Sequence, residues 1–556
     1  MFSIHIRSTI LFLAILLTTT AANPALPARA TNFTNPVLWQ DYPDLDVFRV
    51  GHVFYYSSST FAYSPGAPVL KSYDLVHWTP VTHSVPLLSS FGARYSLNGS
   101  GNGYVKGIWA STLRYRASND MFYWMGCIEN RQTHIFTAAG TTAGAHAGEV
   151  PAGRWNWTAQ PPINTCYYDS GLLIDSDDDT MYVVYGSPSI HIAQLSPDGL
   201  RQVSTQQVYT PPPGTTLEGA RLYKTRGTYY ILATRPADAE VVLKSAGGPL
   251  GPYTARALVT RVAGPLPAGT PAGFAHQGGM VDAPDGRWWY VAFLDAYPGG
   301  RIPVVAPLRW SADGWPEVVL DAAGRWGGEY PTPVETDRTV GGVGGTDLFE
   351  GGALGEGWEW NHDPEGTRWR MAEGGGLVLG TADVTGDLFA ARNTLTQRIV
   401  GPKAVGTFRL DVSAMRDGDR AGAVLFRDRA AYVGVWKEGA AARVVMVRDL
   451  TLAEGTWSTL AEGTVAAAGP TLAGGEDVWL RIEADITPAF GTSTERRAAF
   501  SYSVDGGKNF VGLGPGAALS NSWRYFSGYR FGVFNHATKE LGGEVKVKSF
   551  TMENAS

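Results

Sequence analysis

Residues 217–235, LEGARLYKTRGTYYILATR, carry a pattern that recurs through the first half of the chain. A single acid, Glu218, precedes a short apolar run, a turn falls at Arg226-Gly227, and Tyr229, Tyr230, Ile231 and Leu232 return. Apolar strand, polar turn and aromatic strand in that order predict a β-hairpin with an acid at its mouth. The same figure follows Asp44 (LDVFRVGHVFYY), Trp109 (ASTLRYRASNDMFYW), Asp169 (SGLLIDSDDDTMYVVY) and His276 (QGGMVDAPDGRWWY). The five lead residues are spaced by 65, 60, 49 and 58 positions. That is too long for a two-stranded unit and suits four short strands with their turns. Five such units around one axis form a five-bladed β-propeller, in which equivalent positions meet at the centre of one face. Asp44, Trp109, Asp169, Glu218 and His276 are therefore expected to converge.

From Trp326 to Gly345 the chain turns to GGEYPTPVETDRTVGGVGG, a Pro/Gly-rich connector without apolar periodicity. Beyond it the period is two. Val478, Leu480, Ile482 and Ala484 alternate with Trp479, Arg481, Glu483 and Asp485, and Val545 and Val547 with Lys546 and Lys548. Strands with one buried face read this way. With the runs at 404–415, 421–437 and 529–538 they predict a β-sandwich. The expected architecture is all-β: a propeller over 31–335 and a sandwich over 346–556, with no helix of ordinary length. The Gly-rich stretch 89–107 is expected to line the rim of a cleft.

Composition narrows the partners. The chain has 556 residues with 45 basic and 51 acidic side chains, net −6, and shows no basic stripe of the kind that backbone binding to nucleic acid requires. Trp 18, Tyr 25 and Phe 22, with 68 Gly and 34 Pro, suit many short strands and supply flat faces against which sugars pack. Arg7, the apolar run 10–17 and the small residues up to Ala22 have the layout of a secretory signal peptide, assigned to 1–22. The run is shorter than the ~20 residues of a membrane span, and no later segment qualifies. Export is expected, and sequons at Asn32, Asn98, Asn156 and Asn554 fit it. Cys127 and Cys166 are the two cysteines; a disulfide and a pair of buried thiols both suit them.

Two carboxyl groups facing each other across a sugar, one protonated and one ionised, point to glycoside hydrolysis. A third acid nearby raises the pKa of the proton donor by like-charge repulsion. GxSxG, HExxH and paired metal-spaced cysteines are absent from the sequence. The segments NPVLWQDYPDLDVFRVGHVFYYSSSTF, DSGLLIDSDDDTMYVVYG and EGARLYKTRGTYY resemble the three acid-bearing motifs of glycoside hydrolase family 43, which are five-bladed propellers. GIWAS, AHQGGMVD and GRIPVVAPLRW are similar to further family signatures. DLFEGGALGEGWEWNHDPEGTRW and YRFGVFNHATKELGGEVKV resemble the C-terminal sandwich of its xylosidase and arabinofuranosidase branch, closest to fungal arabinoxylan arabinofuranohydrolases.

The resemblance implies Asp44 as general base, Glu218 as general acid and Asp169 as pKa modulator, with inversion at the anomeric carbon. Asp44-Leu45-Asp46 replaces the family's aspartate-proline, which leaves Asp46 as the alternative base; Asp44 is preferred because it follows Pro43 as the motif does. Asp41 and Asp46 are otherwise expected at the surface or as support. Trp109, Phe61, His276 and Arg301 are the expected substrate-binding residues, with His276 on the axis beside a water or a calcium ion. No organic cofactor is implied, and no metal apart from that calcium. The expected activity is that of a secreted, monomeric exo-glycosidase removing terminal α-L-arabinofuranosyl groups from arabinoxylan. A β-xylosidase acting on xylo-oligosaccharides and a non-catalytic carbohydrate-binding propeller are the alternatives.

Overall fold

The computed structural model describes residues 31–99, 101–140, 155–472 and 477–555; the signal segment 1–22 lies outside the described residues. Five antiparallel four-stranded sheets form the blades. Their innermost strands are Asp46–Val50, Thr112–Arg116, Gly171–Ile174, Glu218–Thr225 and His276–Asp282. Each is followed by an aromatic-rich, largely buried second strand, of which Val53–Ser57 is buried along its whole length. Burial fades outward: Gln202–Tyr209 and Thr254–Thr260, outermost in blades three and four, are largely exposed. The apolar-then-aromatic pattern of each repeat thus marks the two strands nearest the axis. Side chains stitch adjacent blades together there. Asp46 Oδ2 accepts the Leu113 amide at 3.0 Å, Thr112 Oγ1 accepts that of Leu172 at 2.8 Å, and the Tyr223 hydroxyl accepts that of Met280 at 3.0 Å.

The ring is clasped by Asn32–Thr34 pairing with Glu329–Pro331. Part of the stretch read as connector therefore has its own structure, with Trp326 and Tyr330 buried against blade five. Among the described residues the helical content is confined to 3₁₀ turns of three or four residues. Cys127 and Cys166 are joined, Cα to Cα 5.1 Å, which ties blade two to the segment leading into Asp169.

The second domain is a sandwich of a nine-stranded and an eight-stranded sheet. Apolar positions of Lys403–Asp411, Asp477–Asp485 and Glu544–Asn554 on one sheet meet those of Asp419–Phe426 and Arg530–Ala537 on the other. The eight-stranded sheet ends on a propeller strand, Tyr63–Ser64, which pairs with Trp360 and Asn361. The segment 89–107 is caught beneath this junction: Tyr95 and Tyr104 are buried, and the Gly103 amide donates to His362 Nε2 at 2.8 Å. Its described residues combine this packed part with exposed ones such as Asn98 and Gly99, and Val105 reaches the lining of the cavity described below.

Charge is buried between the domains. Glu359 accepts Arg398 Nη1 at 2.7 Å and Arg530 Nη1 at 2.5 Å, and lies 3.0 Å from His83 Nε2 of blade one. Burial alone would raise the Glu359 pKa, but Arg398 and Arg530 hold it well below the usual carboxylate range. Removing one member of such a cluster strands the others in low dielectric. Glu359→Ala is accordingly expected to cost ~3–5 kcal/mol, read as a lowered calorimetric melting temperature.

Candidate active site

Four of the five blade leads open onto a cavity of about 260 Å³, lined among others by Asp44, Asp169, Glu218, Trp109, Phe61 and Arg301. The local reason is a repeated kink. The first fully paired rungs of the five inner strands are Asp46–Ser57, Thr112–Met125, Gly171–Val184, Arg221–Leu232 and Gly279–Val291. Two residues before these stand Asp44, Ala110, Asp169, Gly219 and Gln277. Four of the five have positive φ: 55° at Asp44, 50° at Asp169, 65° at Gly219 and 46° at Gln277. Left-handed backbone at a non-glycine residue costs on the order of 1–3 kcal/mol and concentrates at functional sites. Here it bends the chain as it enters the hub.

The register also corrects one expectation. Between Glu218 and Arg221, and between His276 and Gly279, the pairing shifts, so these two leads sit one place further from the first rung than Asp44 and Asp169 do. Glutamate is one methylene longer than aspartate, and Glu218 still lines the cavity. His276 does not, and Gln277 takes its place on the wall. His276 is buried, its Nδ1 2.8 Å from the Phe274 carbonyl and its ring 4.6 Å from that of Phe293; burial lowers its pKa. Among the described residues no group of three or more His, Cys, Asp or Glu side chains is placed to hold a metal. Calcium takes six to eight oxygens. The carboxylate beside His276, that of Asp295, is already paired with Arg301 Nε at 3.3 Å.

Asp44 is tightly held. Its Oδ2 accepts the Ser59 hydroxyl at 2.8 Å and its Oδ1 accepts Arg301 Nη1 at 2.7 Å. The Arg301 guanidinium in turn lies 5.0 Å from the Phe293 ring and 5.1 Å from that of Phe526. Asp169 is buried and accepts the Gly219 amide at 3.2 Å; burial, then the Glu218 and Asp44 charges, push its pKa well up. Glu218 is half-buried, and burial and the Asp44 charge raise it too, against a lowering by Arg301. One paired carboxylate and two carboxyls inclined to keep a proton therefore share a single pocket.

Asp46 is not in that pocket. It is fully buried in the hub, accepting Thr112 Oγ1 at 2.7 Å and lying 2.6 Å from Arg114 Nη1 and 3.6 Å from Arg221 Nε. Asp41 is buried as well, not at the surface: it accepts the amides of Arg301 and Gly528, each at 2.8 Å. Gly528 belongs to the sandwich, and a Cβ there would strike the backbone of Gly299 and Gly300. This close approach brings Phe526 over the pocket, where it stacks on Phe61 at 5.7 Å. Trp109 stands opposite, its indole N–H on the Val105 carbonyl at 3.0 Å and its ring 6.2 Å from that of Tyr168. Sequence reasoning missed Phe526, Val105, Tyr168 and Gln277. The last two adjoin leads and could have been found from the repeat, whereas nothing local marks Phe526.

Residues 33–316 match the family description "Glycosyl hydrolases family 43", and residues 346–553 match "Beta xylosidase C-terminal Concanavalin A-like domain". The chain belongs to glycoside hydrolase family 43. A beta-xylosidase of Formosa agariphila is 28% identical to it over 94% of this chain and 90% of its own length. A non-reducing end alpha-L-arabinofuranosidase of Bacteroides ovatus is also 28% identical, over 61% of this chain and 63% of its own. A solved structure with 65% identity and a TM-score of 0.91 covers 94% of this chain and 100% of that one. It is described as a GH43 glycoside hydrolase whose engineered active site displays both endo-xylanase and exo-arabinofuranosidase activity.

Because this family 43 pocket shares a wall with the sandwich, Phe526→Ala removes both the partner of Phe61 and one face of Arg301. With aromatic pairs contributing ~0.5–1.5 kcal/mol beyond burial, KM on an aryl glycoside is expected to rise about tenfold, with an unchanged circular dichroism spectrum.

Proposed function

We propose that the chain is a secreted, monomeric, inverting exo-glycosidase that releases terminal α-L-arabinofuranosyl groups from arabinoxylan, including O-3-linked groups on doubly substituted xylose, without an organic cofactor or a metal. The observation that carries the chemistry is the division among the three carboxyls: Asp44 is ion-paired with Arg301, while Glu218 and Asp169 are pushed toward their protonated forms. In this reading Asp44 takes a proton from water as the water attacks the anomeric carbon, and Glu218 protonates the departing glycosidic oxygen. Asp169 and Glu218 repel one another when both are ionised, so the pair keeps a proton for the acid step. Arg301 holds the base in place between two aromatic rings. The cavity lies below the ~300 Å³ at which drug-sized sites begin, which suits one terminal sugar ring rather than a chain threaded through.

Similarity to a solved family member linked to exo-arabinofuranosidase activity, at 65% identity, supports arabinose as the leaving sugar. The beta-xylosidase names of more distant relatives make xylose the rival. Secretion is supported by the exposure of all four sequon asparagines and by the joined cysteines.

Proton NMR of the first sugar released from arabinoxylan is expected to show arabinose of inverted anomeric configuration; xylose as the main product would overturn the assignment. Glu218→Gln should lower kcat by ~10²–10⁴-fold, and retained hydrolysis would sink its role.

The acid must be protonated to act, so activity falls as pH rises through its raised pKa. Asp169→Asn leaves one carboxyl where two repelled each other. The alkaline limb of the kcat/KM profile is therefore expected to move to lower pH, and a limb that stays put would remove Asp169 from its part.

A further inference from the structure

Gln277 combines three features that fold alone does not require. It lines the cavity, it is a non-glycine residue at φ 46°, and its side chain lies across the backbone that follows Glu218. A Cβ on Gly219 would stand 2.9 Å from Gln277 Cγ and 3.2 Å from its Nε2. Glycine at 219 is therefore matched to the glutamine side chain as well as to its own positive φ of 65°. The primary amide offers two donors and an acceptor, the pattern that suits vicinal hydroxyls of a sugar.

The strained backbone that aims this amide is held from behind. Glu240, on Ala239–Ser245 of blade four, is fully buried, and its Oε2 accepts the Gln277 backbone N–H at 2.9 Å. Glu240 and Glu218 flank the same residue, Thr234, on the strand between them, so the support and the expected acid belong to one rung of blade four. Around the Glu240 carboxyl lie the Tyr290 phenol, the Gly278 backbone and, as a charge, the Arg221 guanidinium; among the described residues it has no ion pair of the kind that holds Asp46. Burial pushes its pKa up to about 8. A buried acid without a paired cation is costly to keep for stability alone. The hydrogen bond at its Oε2 goes to the backbone of a cavity residue.

We propose that Gln277 is a sugar-binding residue of the pocket and that Glu240 is its positioning residue, fixing the Gln277 backbone so that the amide reaches the sugar beside Glu218. This rests on reading the cavity as a glycoside site.

The test uses the full chain as Gln277→Ala, Glu240→Ala, Glu240→Gln and the double variant Glu240→Ala/Gln277→Ala, with kcat and KM measured on arabinoxylan and on an aryl arabinofuranoside. Gln277→Ala should lower kcat/KM at least tenfold. Glu240→Ala should match that loss, and the double variant should fall no further, because both changes remove the same contact. Glu240→Gln keeps an amide oxygen for the Gln277 N–H and should stay within about threefold of the parent. A Gln277→Ala variant within threefold of the parent overturns the sugar contact. A double variant that loses the product of the two single losses overturns the positioning role, as does an equal loss in Glu240→Gln and Glu240→Ala. Should Glu240→Ala fail to fold, Glu240→Asp, which withdraws the carboxyl by one methylene, is judged by the same criteria. Failure of the underlying reading is distinct: full hydrolysis in Glu218→Gln, or no sugar released by the parent, would overturn both.

Discussion

One guanidinium holds the site together. Arg221 is buried on the propeller axis three residues beyond Glu218, and its donors reach the carbonyls of Asp44, Leu45 and Ser170. It therefore joins the backbone of all three acid-bearing segments, with the buried Asp46 as counter-charge. A planar fork of five donors suits this task, and a lysine could not span the same carbonyls. The two aspartates beside the axis consequently have different work. Asp46 neutralises the hub, which leaves Asp44 free to face the cavity. The left-handed turn at Asp44 separates the two directions.

Around this hub the electrostatics are layered. Arg301 touches Asp44 with its guanidinium and Asp41 with its amide, and Asp41 reaches on to Gly528 of the sandwich. The sequence of contacts runs from Asp44 to the second domain in three residues. Beside it, Glu359 with Arg398 and Arg530 locks the domain junction. Buried ion pairs of this kind add little net stability over apolar packing, but they penalise any other docking of the two domains. The sandwich thereby fixes one placement of Phe526.

Hydrophobic periodicity made the architecture readable, because each blade buries its two inner strands and says so twice over, once in apolar and once in aromatic residues. The lead positions were readable to within one residue. What the repeat could not register was the bulge in blades four and five, since one added backbone residue leaves the apolar pattern intact while moving His276 off the wall and Gln277 onto it. Asp44 and Asp46 are parted by the left-handed backbone at Asp44, which composition does not encode. Phe526 was out of reach for a different reason: it belongs to the other domain, and its place depends on docking, a long-range property with no local signature. The stretch 326–345 misled in the opposite sense, because Pro and Gly content concealed a short strand that closes the ring.

The wall supplied by Phe526 has a consequence for how the protein comes into being. All three acids lie within the first 218 residues, so a ribosome has released them long before the sandwich exists. A nascent chain would carry the three acids in a bowl that still lacks the wall Phe526 provides. The wall of the pocket is complete only when the segment carrying Phe526 settles against Phe61.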